Sequence, residues 1–355
     1  MTAWRVRAVL LPDGSEVEER WVSAGGWSEV PVGDAQDLPG RLALGGLVDA
    51  HSHVSFASGH AGPIALDRHG AEANLDRYAE DGVVLIRDAG GDPRIVLALP
   101  TVSPGRPRMV AAGRHLAPHG MYFEAVHLPA EPGEVVDVAL AELAAGATWV
   151  KLVADFPPAA ARAASPMAVA EPTYPLDVVA DLVSAVHAAG GRIAAHVTTP
   201  VVTDLVRIGI DSVEHGPALD EETITAMAVM GTAWTPTLCA LLSSSPDAPV
   251  ERRRLVAERR ERLSQLLPIA VRQGVPVLTG SDVVGSVPRE VALLVRCGLE
   301  PADALRAATT SATRFLRLGA AVAPAAVVTY NADPRDDPEV LTQPAAVVID
   351  GVRVR

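Results

Sequence analysis

Eight short apolar runs, separated by helix-like stretches, constrain the fold of this chain more than any other feature. They occupy 46–50, 83–87, 108–112, 148–153, 192–197, 211–214, 232–237 and 276–279. Between them lie segments such as 134–145 and 176–189, the second starting after Pro175 and stopping at Gly190-Gly191, ordinary start and stop signals for a helix. Eight strand-then-helix units without a glycine-rich phosphate loop after the first run predict a closed (β/α)8 TIM-like barrel over 46–318 rather than an open doubly wound sheet. Catalytic groups of such a barrel stand at the C-terminal ends of its strands. The flanks read differently. Strand-like stretches at 5–11, 17–22, 325–330 and 345–354, with turns at Pro12-Asp13-Gly14 and Asp350-Gly351, predict a small composite β-sandwich built from residues 1–45 and 319–355. Segment 156–172, rich in Pro and Ala, reads as a long loop over the barrel mouth.

Charge and length narrow the function. A chain of 355 residues can bury a large core, and its net charge of -13 argues against a nucleic-acid surface. The densest basic stretch, Arg252-Arg253-Arg254 with Arg259, Arg260 and Arg262, alternates with Glu251, Glu258 and Glu261 and reads as a solvated helix face. No apolar stretch suits a signal peptide or a membrane span, so a cytoplasmic location and a small-molecule substrate are expected, with neither membrane nor nucleic acid as partner. Cys239 and Cys297 have no metal-binding spacing and read as buried thiols.

Among 30 basic residues a single one is lysine, Lys151, inside the fourth run. Arginine stays protonated, whereas a buried lysine amine can lose its proton and react. With carbon dioxide it forms a carbamate, an anionic oxygen ligand able to bridge two metal ions. Candidate ligands stand nearby in the pattern. His51 and His53 follow the first run, and alternation along a strand turns both imidazoles to one side. His196, His215 and Asp282 end or follow the fifth, sixth and eighth runs. Each alone could be a core histidine or a helix-capping aspartate. Six such residues at five run ends make separate structural roles a poor account.

On these residues the chain resembles the amidohydrolase superfamily, in its prolidase-like and imidazolonepropionase-related branch. The resemblance rests on Gly-Leu-Val-Asp-Ala-His-Ser-His (46–53), Leu-Ile-Arg-Asp-Ala-Gly-Gly (85–91), Asp-Ser-Val-Glu-His-Gly (211–216), Leu-Thr-Gly-Ser-Asp (278–282) and Ala-Leu-Arg-Ala-Ala-Thr-Thr-Ser-Ala-Thr (304–313). It implies two divalent cations, zinc given the histidine-rich set, held by His51, His53 and Asp282 on one side and His196 and His215 on the other, with carbamylated Lys151 between them. The implied activity is hydrolysis of an amide, of dipeptide or N-acyl amino acid type, by a metal-bridging hydroxide, with Asp282 shuttling the proton. The same site could serve a lactone, phosphotriester or cyclic amidine, and relatives without the ligands act as scaffolds. Barrels of this family often associate, so a homo-oligomer is compatible.

Departures from the family pattern bear on substrate. Lys151 argues against imidazolonepropionase activity, and Val197-Thr198-Thr199 after His196 lacks the glutamate of the adenosine-type deaminases. Where many relatives carry Gly-Gly-His-Gly, this chain has Ala117-Pro118-His119-Gly120. Arg87, Arg114, His115, His119, Tyr122 and Tyr174 lie near run ends or loops of the active face and are the candidate substrate contacts, with an Arg87–Asp88 ion pair as the structural alternative for the first. His60, His69, His127 and His187 are read as non-ligands.

Overall fold

Seven of the eight runs form parallel strands in the computed structural model, which describes residues 2–11, 14–59, 62–165, 167–245, 247–316 and 325–355. Strand Leu47–Ser52 pairs with Val83–Asp88, which pairs with Arg108–Ala111. A second parallel ladder runs through His115–Leu116, Trp149–Val153, Arg192–Val197, Ser212–His215 and Ala233–Thr235. The two ladders meet where Thr148 N–H donates to the Ala111 carbonyl at 3.1 Å. The eighth run makes a single parallel bridge in place of a full strand, Val277 to Trp234, and Asp282, three residues past it, bridges to Ser52 on the other side. Leu278 N–H donates to the Trp234 carbonyl, and Ala50 N–H donates to that of Thr279, so the first and last runs are joined.

Side-chain alternation along these strands divides the interior in two. Val48, Leu85, Val110, Trp149, Ala194, Ala233 and Leu278 meet in one cluster with Phe315 and Leu316. The opposite parity, including Leu47, Ile86, Val150 and Val213, packs outward against the helices. Helix Leu176–Ala188 shows why: Val179, Leu182, Val183 and Val186 recur at helical spacing and are its buried residues. Side chains of Asp67, Asp220 and Ser286 accept the free N–H groups at three helix starts, while Gly209 and Gly231 supply left-handed stops. On the 23-residue helix Val250–Arg272 the buried stripe is Val256, Leu263, Leu266, Leu267 and Ala270; Arg253, Arg254 and Arg260 are exposed as expected, whereas Arg252 and Arg259 are half-buried and Arg262 donates to the Leu219 carbonyl.

Both termini enter one sheet. Strands Trp4–Leu10, Glu16–Ser23, Gly26–Ser28 and Leu42–Leu44 join Ala326–Tyr330, Ala346–Ile349 and Val352–Arg353 in a continuous seven-stranded path, and Gln36–Asp37 pairs beside it with Trp4–Leu10 as the eighth strand. Trp4, Val6, Val22, Ala43, Val327 and Val348 pack into a separate core on one face, while Leu42, Val328, Tyr330 and Val347 face the main core. Two stacked sheets are therefore replaced by one hydrogen-bonded sheet enclosing its own core. The expected boundary at 318/319, the Pro12-Asp13 turn and His60 lie outside the described residues. Segment 156–172 is more ordered than a plain loop, with Asp155–Phe156 pairing antiparallel to Glu171–Pro172 around helix Ala159–Ala164. No helix among the described residues is long and apolar enough to cross a membrane.

Candidate active site

Strand polarity delivers His51, Lys151, His196 and His215 to the same end of the parallel array, and the register staggers them: His196 pairs with Val153, two residues past Lys151, and His215 pairs with Val197. Ligand atoms of His51, His215 and Asp282 all lie within 4.8 Å of one another. His53 Nε2 is 3.2 Å from His51 Nε2 and 3.7 Å from Asp282 Oδ1. The His196 ring centroid is 4.4 Å from that of His215. Lys151 is buried, and its Nζ has no hydrogen-bond partner. Burial pushes its amine down to about 8, the nearby Glu214 carboxylate opposing the shift. Burial, with the charge on Lys151, pushes His196 down to about 3 and holds His51 well below its ordinary value. These imidazoles are neutral at pH 7 and carry lone pairs.

The tautomers follow from what the other ring nitrogens touch. His53 Nδ1 lies 2.8 Å from the Gly90 carbonyl, which only accepts, so Nδ1 bears the hydrogen. His51 Nδ1 donates to Glu214 Oε2 at 2.5 Å. Both Nδ1 atoms are thus committed, and the two Nε2 atoms face each other at 3.2 Å. Two imidazole nitrogens at that distance share one cation, a proton or a metal ion. With the unpartnered Lys151 Nζ beside them, the residues fit a metal centre.

Buried carboxylates brace these ligands. Glu214 Oε1 accepts from Arg87 Nη2 at 2.6 Å and from Ser212 Oγ at 2.5 Å. Asp49 accepts from His51 N–H, Ser281 N–H and Ser281 Oγ, tying the first strand to the turn that carries Asp282. Burial raises Asp49 to about 7 despite these bonds. Asp88 accepts from Val54 and Gly90 N–H, and Asp155 accepts from Thr198 and Thr199 N–H beyond His196. His215 Nδ1 lies 2.6 Å from Thr237 Oγ1. His215, Thr237 and Asp282 have φ of 68°, 46° and 56°. Left-handed backbone costs a non-glycine residue about 1–3 kcal/mol and concentrates at functional sites.

The amidohydrolase family model matches residues 42–352. The chain belongs to the amidohydrolase family. It is an enzyme of the class that hydrolyses amide carbon–nitrogen bonds. An uncharacterized protein of Mycobacterium tuberculosis is 34% identical to it, over 98% of this chain and 94% of its own. Among solved structures, a prolidase complexed with N-methylphosphonate-L-proline superposes with a TM-score of 0.80 at 25% identity, covering all of both chains. A Xaa-Pro dipeptidase with methionine in its active site gives 0.78 at 20% identity, over 99% of each chain.

In this amidohydrolase the six expected substrate contacts separate into two groups. Arg87 is fully buried, gives Nε to the Ala50 carbonyl and Nη2 to Glu214, and lies 4.5 Å over Trp149, so it braces the interior in place of receiving a substrate. Its partner is Glu214, not Asp88. Arg114 is bonded to Glu142 at 2.7 Å, and Tyr174 gives its hydroxyl to the Ala130 carbonyl within the main core. The His119 side chain is exposed. Only His115 and Tyr122 stand against the cluster. His115 is buried with neither ring nitrogen bonded, 5.3 Å from His53 and 4.8 Å from Tyr122 between ring centroids. Tyr122 and Phe156 also flank His196, at 6.2 and 5.8 Å. Three of the four phenylalanines, Phe56, Phe123 and Phe156, join this wall. Sequence reasoning missed Glu214, Asp49 and Thr237; a charged residue inside an apolar run, next to a ligand candidate, was the available signal for the first.

Proposed function

We propose that this amidohydrolase is a binuclear metal-dependent hydrolase acting on an amide of dipeptide or N-acyl amino acid type. The observation that carries the reading is the convergence of His51 Nε2 and His53 Nε2, 3.2 Å apart with each Nδ1 committed elsewhere, beside the His51, His215 and Asp282 group whose ligand atoms lie within 4.8 Å of one another. His51, His53 and Asp282 would hold one divalent ion, His196 and His215 the other, with zinc suited to the imidazole donors. Lys151 would bridge them after its neutral amine adds carbon dioxide and releases one proton; the depressed basicity of that buried amine supports this step. Bound metal supplies a water acidified towards neutral pH and a polarised substrate carbonyl. Asp282, with one oxygen accepting from Val283 N–H at 2.8 Å, keeps the other for taking that proton and passing it to the leaving amine. Tyr122, its hydroxyl kept protonated by burial and the Asp282 charge, is a donor at the same end.

The same reading takes the parallel pairing, the join of first and last runs and the shared inner cluster as a closed (β/α)8 barrel over 46–318, with the terminal segments as its β domain. Metal analysis of the purified protein, with a screen of dipeptides and N-acyl amino acids for amine release, tests the function. Protein that binds no zinc, manganese or cobalt, or metal-loaded protein that cleaves no amide, refutes it.

A further inference from the structure

A cavity of about 510 Å³ opens against His53 and Asp282, between helix Arg68–Glu80 and the turn leading into helix Val287–Arg296. One arginine lines it, Arg77. The neighbouring acids of its helix are engaged elsewhere: Glu72 pairs with Arg68, and Asp76 with Arg106. Among the described residues no carboxylate is in ion-pair contact with Arg77, Asp81 on the same wall included. The guanidinium is held instead by a neutral group. Asn74 gives its amide N–H groups to the Val54 and Phe56 carbonyls, at 2.7 and 3.1 Å, which leaves its Oδ1 to accept from Arg77 Nη2. An oriented cation therefore faces the cavity that reaches the metal-ligand side chains, its charge felt by Asp81 on the same wall but bonded to no carboxylate among the described residues.

We infer that this cavity receives the free carboxylate of the substrate, with Arg77 as its anchor and Asn74 as the positioning residue. The inference rests on the amide-hydrolase reading and deepens it by fixing the direction of the substrate. The planar fork of N–H donors suits a carboxylate, and four of its five remain after the bond to Asn74. With the carboxylate at Arg77 and the scissile amide over His53 and Asp282, the acyl part extends towards Tyr122 and Phe156, whose rings offer it an apolar wall. The class indicated is an N-acyl amino acid or dipeptide with an apolar or aromatic acyl side.

The test uses the metal-loaded protein with N-benzoylalanine and its carboxamide, following benzoate release, beside calorimetric binding of N-benzoylalanine to the metal-free protein. Arg77 is exposed, and glutamine is a good helix former there, so Arg77→Gln should leave the fold intact. Expected are a preference of the parent for the free acid, and in Arg77→Gln a fall in kcat/KM for the acid of about tenfold or more, mainly through KM, with the carboxamide unchanged. Binding of the acid should weaken in parallel, and Arg77→Lys should recover part of it. Equal losses for both substrates, or an acid preference that survives Arg77→Gln, overturns the anchor. Cleavage of the carboxamide in preference to the acid overturns it while leaving the hydrolase reading intact. Cleavage of neither, nor of any other amide, fails both.

Discussion

Glu214→Gln keeps the shape of a fully buried side chain and removes its charge. The two carboxylate oxygens of Glu214 accept three hydrogen bonds, from His51 Nδ1, Arg87 Nη2 and Ser212 Oγ, all at 2.5–2.6 Å. Glutamine retains one oxygen and turns an amino group on at least one of those donors. Arg87, fully buried, then has no carboxylate partner, because Glu214 is the one it pairs with. Removing one member of a buried ion pair costs about 3–5 kcal/mol. Against a typical stability of about 5–15 kcal/mol that is severe. Urea unfolding of the metal-free protein should show the midpoint falling by roughly 1 M or more. Zinc affinity, measured by competition with a chromogenic chelator, should drop about 10- to 100-fold because His51 loses the acceptor that fixes its tautomer. The double variant Arg87→Met, Glu214→Gln removes both charges and should regain most of the stability but none of the zinc affinity. A single variant within about 1 kcal/mol of the parent, or a double variant that recovers metal binding together with stability, would refute the assignment of Arg87 to the fold and of Glu214 to His51.

Lys151→Arg should lower bound metal from about two ions per chain to one or none and abolish amide cleavage, since guanidinium forms no carbamate and sets a fixed positive charge among metal ligands; elemental analysis with an activity assay decides, and full loading with full turnover excludes the bridge. Asp282→Asn should keep the fold and much of the metal while turnover falls by about two to four orders of magnitude, and near-normal turnover would remove Asp282 from proton transfer. Gly90→Ala adds a Cβ 2.9 Å from His115 Cε1 at a φ of +122°. It should lower stability by about 1–3 kcal/mol and weaken catalysis, and an unchanged thermal midpoint would mean that His115 yields freely.

The sequence by itself determined the alternation of parallel strands and helices and the six residues at the strand ends, because both are local properties. An apolar run bounded by turn signals makes a strand wherever its partners lie, and parallel strands all present their C-terminal ends on one side, so His51, Lys151, His196 and His215 needed no long-range information to be placed together. Asp282 followed from the same rule although its run makes a single bridge only. What each remaining charge does was decided by tertiary structure. Arg87, Arg114 and Tyr174 looked available from their places near strand ends and loops, yet their partners Glu214, Glu142 and the Ala130 carbonyl are 127, 28 and 44 residues away in the chain. Arg77 sits on a helix with no motif around it and faces the cavity beside Asp282 only because the first and last runs pack side by side. A buried charge must find a partner, but register and helix packing choose which one, and neither is written in the spacing of neighbouring residues.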